Sequence, residues 1–207
     1  METPDQGQIV ATVGAISNNV SRTLQKATHH ASAWFAPEGR PFEPTMFACM
    51  VRYFARLYFG LDSEDEDALK SETLPNIGLE IYYNGYLFKI LKAVDGLPPV
   101  PSSNARVNFY KQNPQMYLDR KAGALLPTSL HLMYLWECDD AHRLSDLQLY
   151  CPSNGGFSRA EIEKHWSVNL PIVRIPIADL ESEDLPIERT AREDLPIDAV
   201  EGEAEAE

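Results

Sequence analysis

The sequence predicts an α+β protein: N-terminal helices packed on a roughly five-stranded antiparallel sheet, a short C-terminal helix and a disordered acidic tail. Two patterns carry this prediction. Apolar residues recur at helical spacing near the N-terminus, and pairs of apolar runs separated by turn residues follow in the middle of the chain. We expect residues 1–177 to form one domain and residues 178–207 to form the tail.

The first helix is predicted to begin at Thr3-Pro4-Asp5-Gln6, a capping-box pattern with proline at the first helical position, and to end before Pro37. Its apolar positions recur every three or four residues and form one stripe. The stripe consists of Ile9, Val13, Ile16, Val20, Leu24, Ala27 and Ala31. Such a stripe is typical of a helix buried in its own domain, and its near-heptad spacing leaves self-association of two copies open.

A second helix is predicted from about Pro44 to Leu57 or Phe59, with Gly60 as its C-terminal cap. Arg52 and Arg56 are four residues apart and therefore share one face of this apolar helix. Two interpretations remain open. The arginines pair with structural carboxylates at the edge of the core, or they line a pocket that receives an anionic group.

The clearest local signal is a hairpin in which Asn84-Gly85 joins an apolar strand on each side. Pairing Tyr83 with Tyr86 also places Glu80 opposite Lys89 and brings apolar residues together on the other face. A second hairpin is predicted from Leu130 to Glu137 and from Leu144 to Cys151, with Trp136 opposite Leu147. Between the hairpins a strand is predicted at Ala105 to Tyr110. After them, Ser158-Arg159-Ala160-Glu161 is predicted to cap a last short helix near Trp166.

No catalytic constellation emerges from the sequence. The residue types that zinc prefers occur at Cys138, His142, Cys151 and His165, but the hairpin register separates the two cysteines by roughly 20 Å. Cys151 has neither a nearby histidine nor an arginine at the spacing of a phosphatase loop, so we interpret it as a structural cysteine. We therefore predict no metal, no cofactor and no catalytic residues, which favours a non-enzymatic protein over an enzyme.

The charge of the chain is concentrated in its tail. The net charge is −13, and residues 178–207 hold twelve acidic residues and two arginines, which leaves −3 for the other 177 residues. This balance argues against direct nucleic-acid binding. The polar N-terminus and the lack of a long apolar run predict no membrane association, and three cysteines fit a reducing cytoplasm better than a disulfide framework.

The tail and the segment before it repeat a short motif, an aliphatic residue followed by Pro-Ile. The copies are Leu170-Pro171-Ile172, Ile175-Pro176-Ile177, Leu185-Pro186-Ile187 and Leu195-Pro196-Ile197. Proline favours an extended backbone, and tandem copies between acidic residues are typical of short linear motifs. One interpretation makes the first two copies an edge strand or strap on the domain and the later two duplicated filler.

The alternative interpretation makes the last two copies, residues 185–187 and 195–197, binding sites for a protein partner with a basic surface. Our first functional hypothesis is accordingly a non-enzymatic interaction or regulatory module that acts through its tail. The second is a small-ligand-binding or enzymatic domain whose pocket contains Arg52 and Arg56.

Overall fold

A computed structural model describes residues 5–36, 42–61, 70–74, 78–112, 116–119, 124–127 and 130–182. The chain separates into two units, Met1–Ile175 and Pro176–Glu207. In the second unit the described structure includes one short helix, α5 (Ile177–Ser182). The remaining helices and the strands belong to the first unit. None of the helices in the described ranges has the length and apolar character needed to cross a membrane.

Three helices begin the first unit: α1 (Gln6–Thr12), α2 (Gly14–Phe35) and α3 (Pro44–Leu61). Asp5 caps α1 by accepting a hydrogen bond from the Gln8 amide, while the predicted cap Thr3 lies outside the described residues. Every member of the predicted apolar stripe along α1 and α2 is buried. The domain's own core thus uses the stripe, which was the first of its two interpretations.

The main sheet has six strands in the order β1-β2-β3-β6-β7-β8. Their bounds are β1 Lys70–Leu74, β2 Gly78–Tyr83, β3 Tyr86–Lys92, β6 Leu130–Cys138, β7 Leu144–Asn154 and β8 Glu163–Asn169. A separate two-stranded sheet consists of β4 (Met116–Asp119) and β5 (Ala124–Pro127). Helices and a sheet in separate parts of the chain confirm the α+β class.

One strand pairing differs from the expected antiparallel sheet, because β3 and β6 run parallel. Residues 93–129 connect these two strands, and a connection of that length can cross over and return the chain in the same direction. The sheet is consequently mixed, with β6 at its centre between β3 and β7.

Both predicted hairpins are confirmed. In the β2–β3 hairpin Tyr83 faces Tyr86 and Glu80 faces Lys89, and the Lys89 ammonium lies 3.0 Å from the Glu80 carboxylate. Asn84 and Gly85 have positive φ angles of 49° and 81°, as a type I′ turn requires. In the β6–β7 hairpin Trp136 faces Leu147 as predicted.

Two later predictions were wrong. Residues 105–110 form helix α4 (Asn104–Tyr110) instead of a strand, because Ser103 caps the segment by accepting from the Arg106 amide. The Ser158–Glu161 capping box does form, but it opens only one 3-10 turn. The chain then becomes β8, in which Trp166 pairs with Cys151 of β7.

Both faces of the main sheet are covered. The Ser17 hydroxyl of α2 lies 3.0 Å from the Tyr134 hydroxyl of β6, which places the N-terminal helices on the face to which Tyr134 points. Neighbouring β6 residues point to the other face, where they pack against α4. The buried cluster on that second face contains Leu87, Ala93, Phe109, Tyr110, Met133, Leu135 and Tyr150.

Candidate functional site

The tail residues predicted to bind a partner lie outside the described structure. They are Leu185, Pro186, Ile187, Leu195, Pro196 and Ile197. Their role therefore stays a prediction. The first copy of the same motif, Leu170-Pro171-Ile172, is described and begins an extended segment, residues 170–175, which we call the strap.

The strap runs along the flank of α2. The Leu170 amide donates to the Leu147 carbonyl of β7 at 2.8 Å. The Val173 amide donates to the Ser21 hydroxyl at 2.9 Å, and the Ile175 amide donates to the Gln25 side-chain carbonyl at 3.0 Å.

The spacing of these bonds has a simple geometric basis. Ser21 and Gln25 are one helical turn apart, about 6 Å along the axis. Val173 and Ile175 are two extended residues apart, about 6.6 Å. A helix that offers acceptor side chains at every fourth position can therefore bind alternate amides of an extended chain.

The two predicted pocket arginines point to different surroundings. Arg52 is half-buried and turns back along its own helix, where it donates to the Ala48 carbonyl and to the Cys49 sulfur. Arg56 is exposed. Neither position supplies the convergence that a shared anion pocket would need, and the pocket stays a prediction without a supporting contact.

A buried polar cluster on the second sheet face was missed by the sequence analysis. The Gln112 amide nitrogen donates to the carbonyls of His131 and Pro152 at 2.7 and 2.8 Å, and its oxygen accepts from the His131 amide at 2.7 Å. The His131 ring stacks on the Phe109 ring, and the Lys89 ammonium lies 4.5 Å from the centre of the Phe109 ring.

Burial lowers the pKa of His131, and the nearby charge of Lys89 lowers it further, although a hydrogen bond with the Phe109 carbonyl opposes both effects. The imidazole is thus neutral at physiological pH. His131 is neutral and stacked, and the neighbouring Lys89 pairs with Glu80, so we interpret the role of this cluster as structural. No local signal in the sequence could have found this cluster, because its members come from four distant segments.

Cys138 and Cys151 are not arranged for nucleophilic chemistry. Burial raises the pKa of both Cys138 and Cys151 to about 12, which keeps the two thiols protonated. His142, at the tip of the second hairpin, stacks on Phe42 with ring centres 3.9 Å apart. The side chains in the described ranges include no group of three or more His, Cys, Asp or Glu that could hold a metal ion.

Comparison with models of known protein families, with curated proteins and with solved structures found no match to this chain.

Proposed function

We propose that this protein is a non-enzymatic interaction or regulatory module of the cytoplasm, whose acidic tail binds a protein partner through its Leu-Pro-Ile motifs. The strap is the observation that supports this proposal most directly. The strap begins with a copy of the motif and lies along α2. Its Val173 and Ile175 amides donate hydrogen bonds to side-chain oxygens of that helix.

The chemistry of the tail motifs suits the same kind of recognition. Proline holds the chain extended before binding, so less conformational entropy is lost when a partner takes it up. Leucine and isoleucine supply apolar surface, while the acidic residues around both copies complement a basic surface on the partner. Two copies ten residues apart also allow binding at two sites of one partner, which raises avidity without new contacts.

The proposal is tested by affinity capture from the native host with three baits. The baits are the full chain, a chain ending at Ile177, and a full chain carrying Pro186→Ala, Ile187→Ala, Pro196→Ala and Ile197→Ala. A matched control, Glu201→Gln with Glu203→Gln, changes the tail charge and leaves the motifs intact.

We expect one partner to be captured by the full chain and by the control and to be lost with the other two baits. Capture of the same partner by the motif variant would show that tail charge alone is recognised. Equal capture by the chain ending at Ile177 would move the binding function to the first unit.

A further inference from the structure

The outer side of α2 and α3 differs in charge from the rest of this acidic chain. The three N-terminal helices contain no aspartate and no glutamate, although the chain as a whole has 31 acidic residues. The helices do contain Arg22 and Lys26 in α2 and Arg52 and Arg56 in α3. The charged residues within α2 and α3 are thus all cationic, while α1 has no charged residue and the Glu43 carboxylate caps the start of α3.

Contacts between the two helices show how the cations of α2 lie relative to α3. The His30 ring of α2 lies 5.7 Å from the rings of Phe54 and Tyr58 in α3, and the Lys26 ammonium lies 5.3 Å from the centre of the Tyr58 ring. The helices are antiparallel neighbours at these contacts, so the middle of α2 lies beside the C-terminal half of α3, which carries Arg56. Arg22 is one helical turn before Lys26 on α2.

This surface also exposes large apolar side chains. Met46 is 52% exposed and Tyr53 is 39% exposed, and their spacing along α3 puts both on the side that carries Arg56. We call the surface formed by Arg22, Lys26, Met46, Tyr53 and Arg56 the outer helical face. Arg22 and Arg56 are exposed, and the ion pair seen among the described residues, Glu80–Lys89, involves neither of them.

We propose that the outer helical face is a docking surface for an acidic segment of another protein. This site goes beyond the tail motifs, because it uses different residues and attracts the opposite charge. Arginine, tyrosine and methionine are enriched in protein interfaces, where aspartate, glutamate and lysine are depleted. Arginine also binds carboxylates through two parallel hydrogen bonds, so the face fits a partner that combines carboxylates with apolar side chains.

Nucleic acid fits the face less well than an acidic protein does. The three cationic side chains of the face supply fewer phosphate contacts than the roughly six to ten that give strong salt-dependent binding. The net charge of −13 would also repel a long polyanion at a distance, whereas a short acidic segment meets mainly the local field of the face.

The chain also has an acidic run of its own, which the test must distinguish from an external segment. Five acidic residues occur between Asp62 and Asp67, directly after α3. An experiment must therefore separate binding of an external segment from occupation by this run. A variant with Glu64→Gln, Asp65→Asn, Glu66→Gln and Asp67→Asn serves that purpose.

The test measures binding of the full chain to short fluorescein-labelled poly-L-glutamate by anisotropy at low ionic strength. We expect saturable binding that weakens about tenfold in Arg22→Glu with Arg56→Glu. The matched control, Lys111→Glu with Lys164→Glu, reverses two exposed cations outside the helical layer and should change affinity less than about twofold. A peptide with leucine at every third position should bind more tightly, and Tyr53→Ala with Met46→Ala should remove that gain.

Four results would overturn the proposal. The first is absence of peptide binding, and the second is tighter binding of single-stranded DNA or phosphatidylserine vesicles at the same arginines. The third is peptide binding only by the variant with the neutralised acidic run, and the fourth is self-association of the protein that Arg22→Glu abolishes. The last result would assign the face to a second copy of this chain. Circular dichroism of each variant confirms folding, which exposed positions should leave unchanged.

Discussion

Gln112 connects three segments that are distant in the sequence. Its side-chain amide donates to the carbonyls of His131 and Pro152 and accepts from the His131 amide, so it joins the end of α4 to β6 and β7. The residue is buried and has a positive φ of 56°. One amide group thereby forms hydrogen bonds with three buried backbone groups.

We predict that Gln112→Ala destabilises the protein by about 3 kcal/mol, because it removes three hydrogen bonds to buried backbone groups. Urea unfolding followed by circular dichroism measures the change in free energy. Gln148→Ala is the matched control, since the Gln148 amide is only half-buried and donates to the Asp146 carboxylate. A loss of less than about 1 kcal/mol is expected for the control. Equal losses would mean that the buried network contributes little.

A second prediction concerns thiol reactivity. Because burial raises the pKa of Cys138 and Cys151 to about 12, fewer than about one in a thousand of either thiol is ionised at pH 8. We expect a thiol-specific disulfide reagent to modify these two cysteines only after unfolding. Reaction rates of Cys138→Ser and Cys151→Ser variants, compared in native buffer and in urea, assign each phase. Fast modification of Cys151 in the native protein would contradict this prediction and would mean that its thiol can act as a nucleophile.

Among the elements, the β2–β3 hairpin depends on a turn that only certain residues adopt. Gly85 has φ of 81°, a conformation in which a side chain clashes with the backbone. We predict that Gly85→Ala costs about 1 kcal/mol, measured by thermal or urea unfolding. Gly14→Ala, at the start of α2, is the matched control. Nothing lies within 4 Å of the added methyl group, and alanine favours helix, so stability should stay level or rise.

The elements that the sequence predicted correctly are those whose signal is local. The two hairpins follow from turn residues and cross-strand pairing, and the stripe along α1 and α2 follows from helical spacing. The strand predicted for residues 105–110 was wrong because a short alternation of apolar residues also suits a helix that buries one side. The helix predicted after Ser158 was wrong beyond its first turn. The capping box forms, but pairing with β7 outweighs helix formation beyond Glu161.

The candidate sites also differ in whether a local pattern in the sequence can predict them. Repetition along the sequence was enough to identify the Leu-Pro-Ile motifs, and the strap interpretation of the first two copies agrees with the hydrogen bonds that Val173 and Ile175 donate to α2. The outer helical face required structure, because the helices must be placed side by side before Arg22 and Arg56 belong to one surface. The cluster of Gln112, His131 and Lys89 likewise exists only after β3 and β6 pair in parallel.

For the whole molecule, buried titratable groups connect stability to pH at both ends of the scale. His131 is buried with a lowered pKa, so the unfolded chain binds more protons than the folded protein just below pH 6.5. Burial also raises the pKa of three core tyrosines: Tyr110, Tyr134 and Tyr150, the last to about 12. The folded protein therefore holds tyrosine protons that the unfolded chain releases above pH 10.

These shifts predict that the free energy of unfolding falls in two separate windows. As pH drops below about 6.5, protonation of His131 in the unfolded chain favours unfolding, and this loss continues down to the lowered pKa of the folded state. As pH rises above about 10, ionisation of the tyrosines in the unfolded chain favours unfolding in the same way. Urea titrations across both windows measure the two slopes.

Two variants assign those slopes to their groups. His131→Asn keeps a donor for the Phe109 carbonyl and removes the titration, so it should flatten the slope just below about pH 6.5 and leave the alkaline slope unchanged. Tyr150→Phe should flatten only the alkaline slope. An acid slope that survives in His131→Asn would mean that the imidazole does not resist protonation in the folded protein.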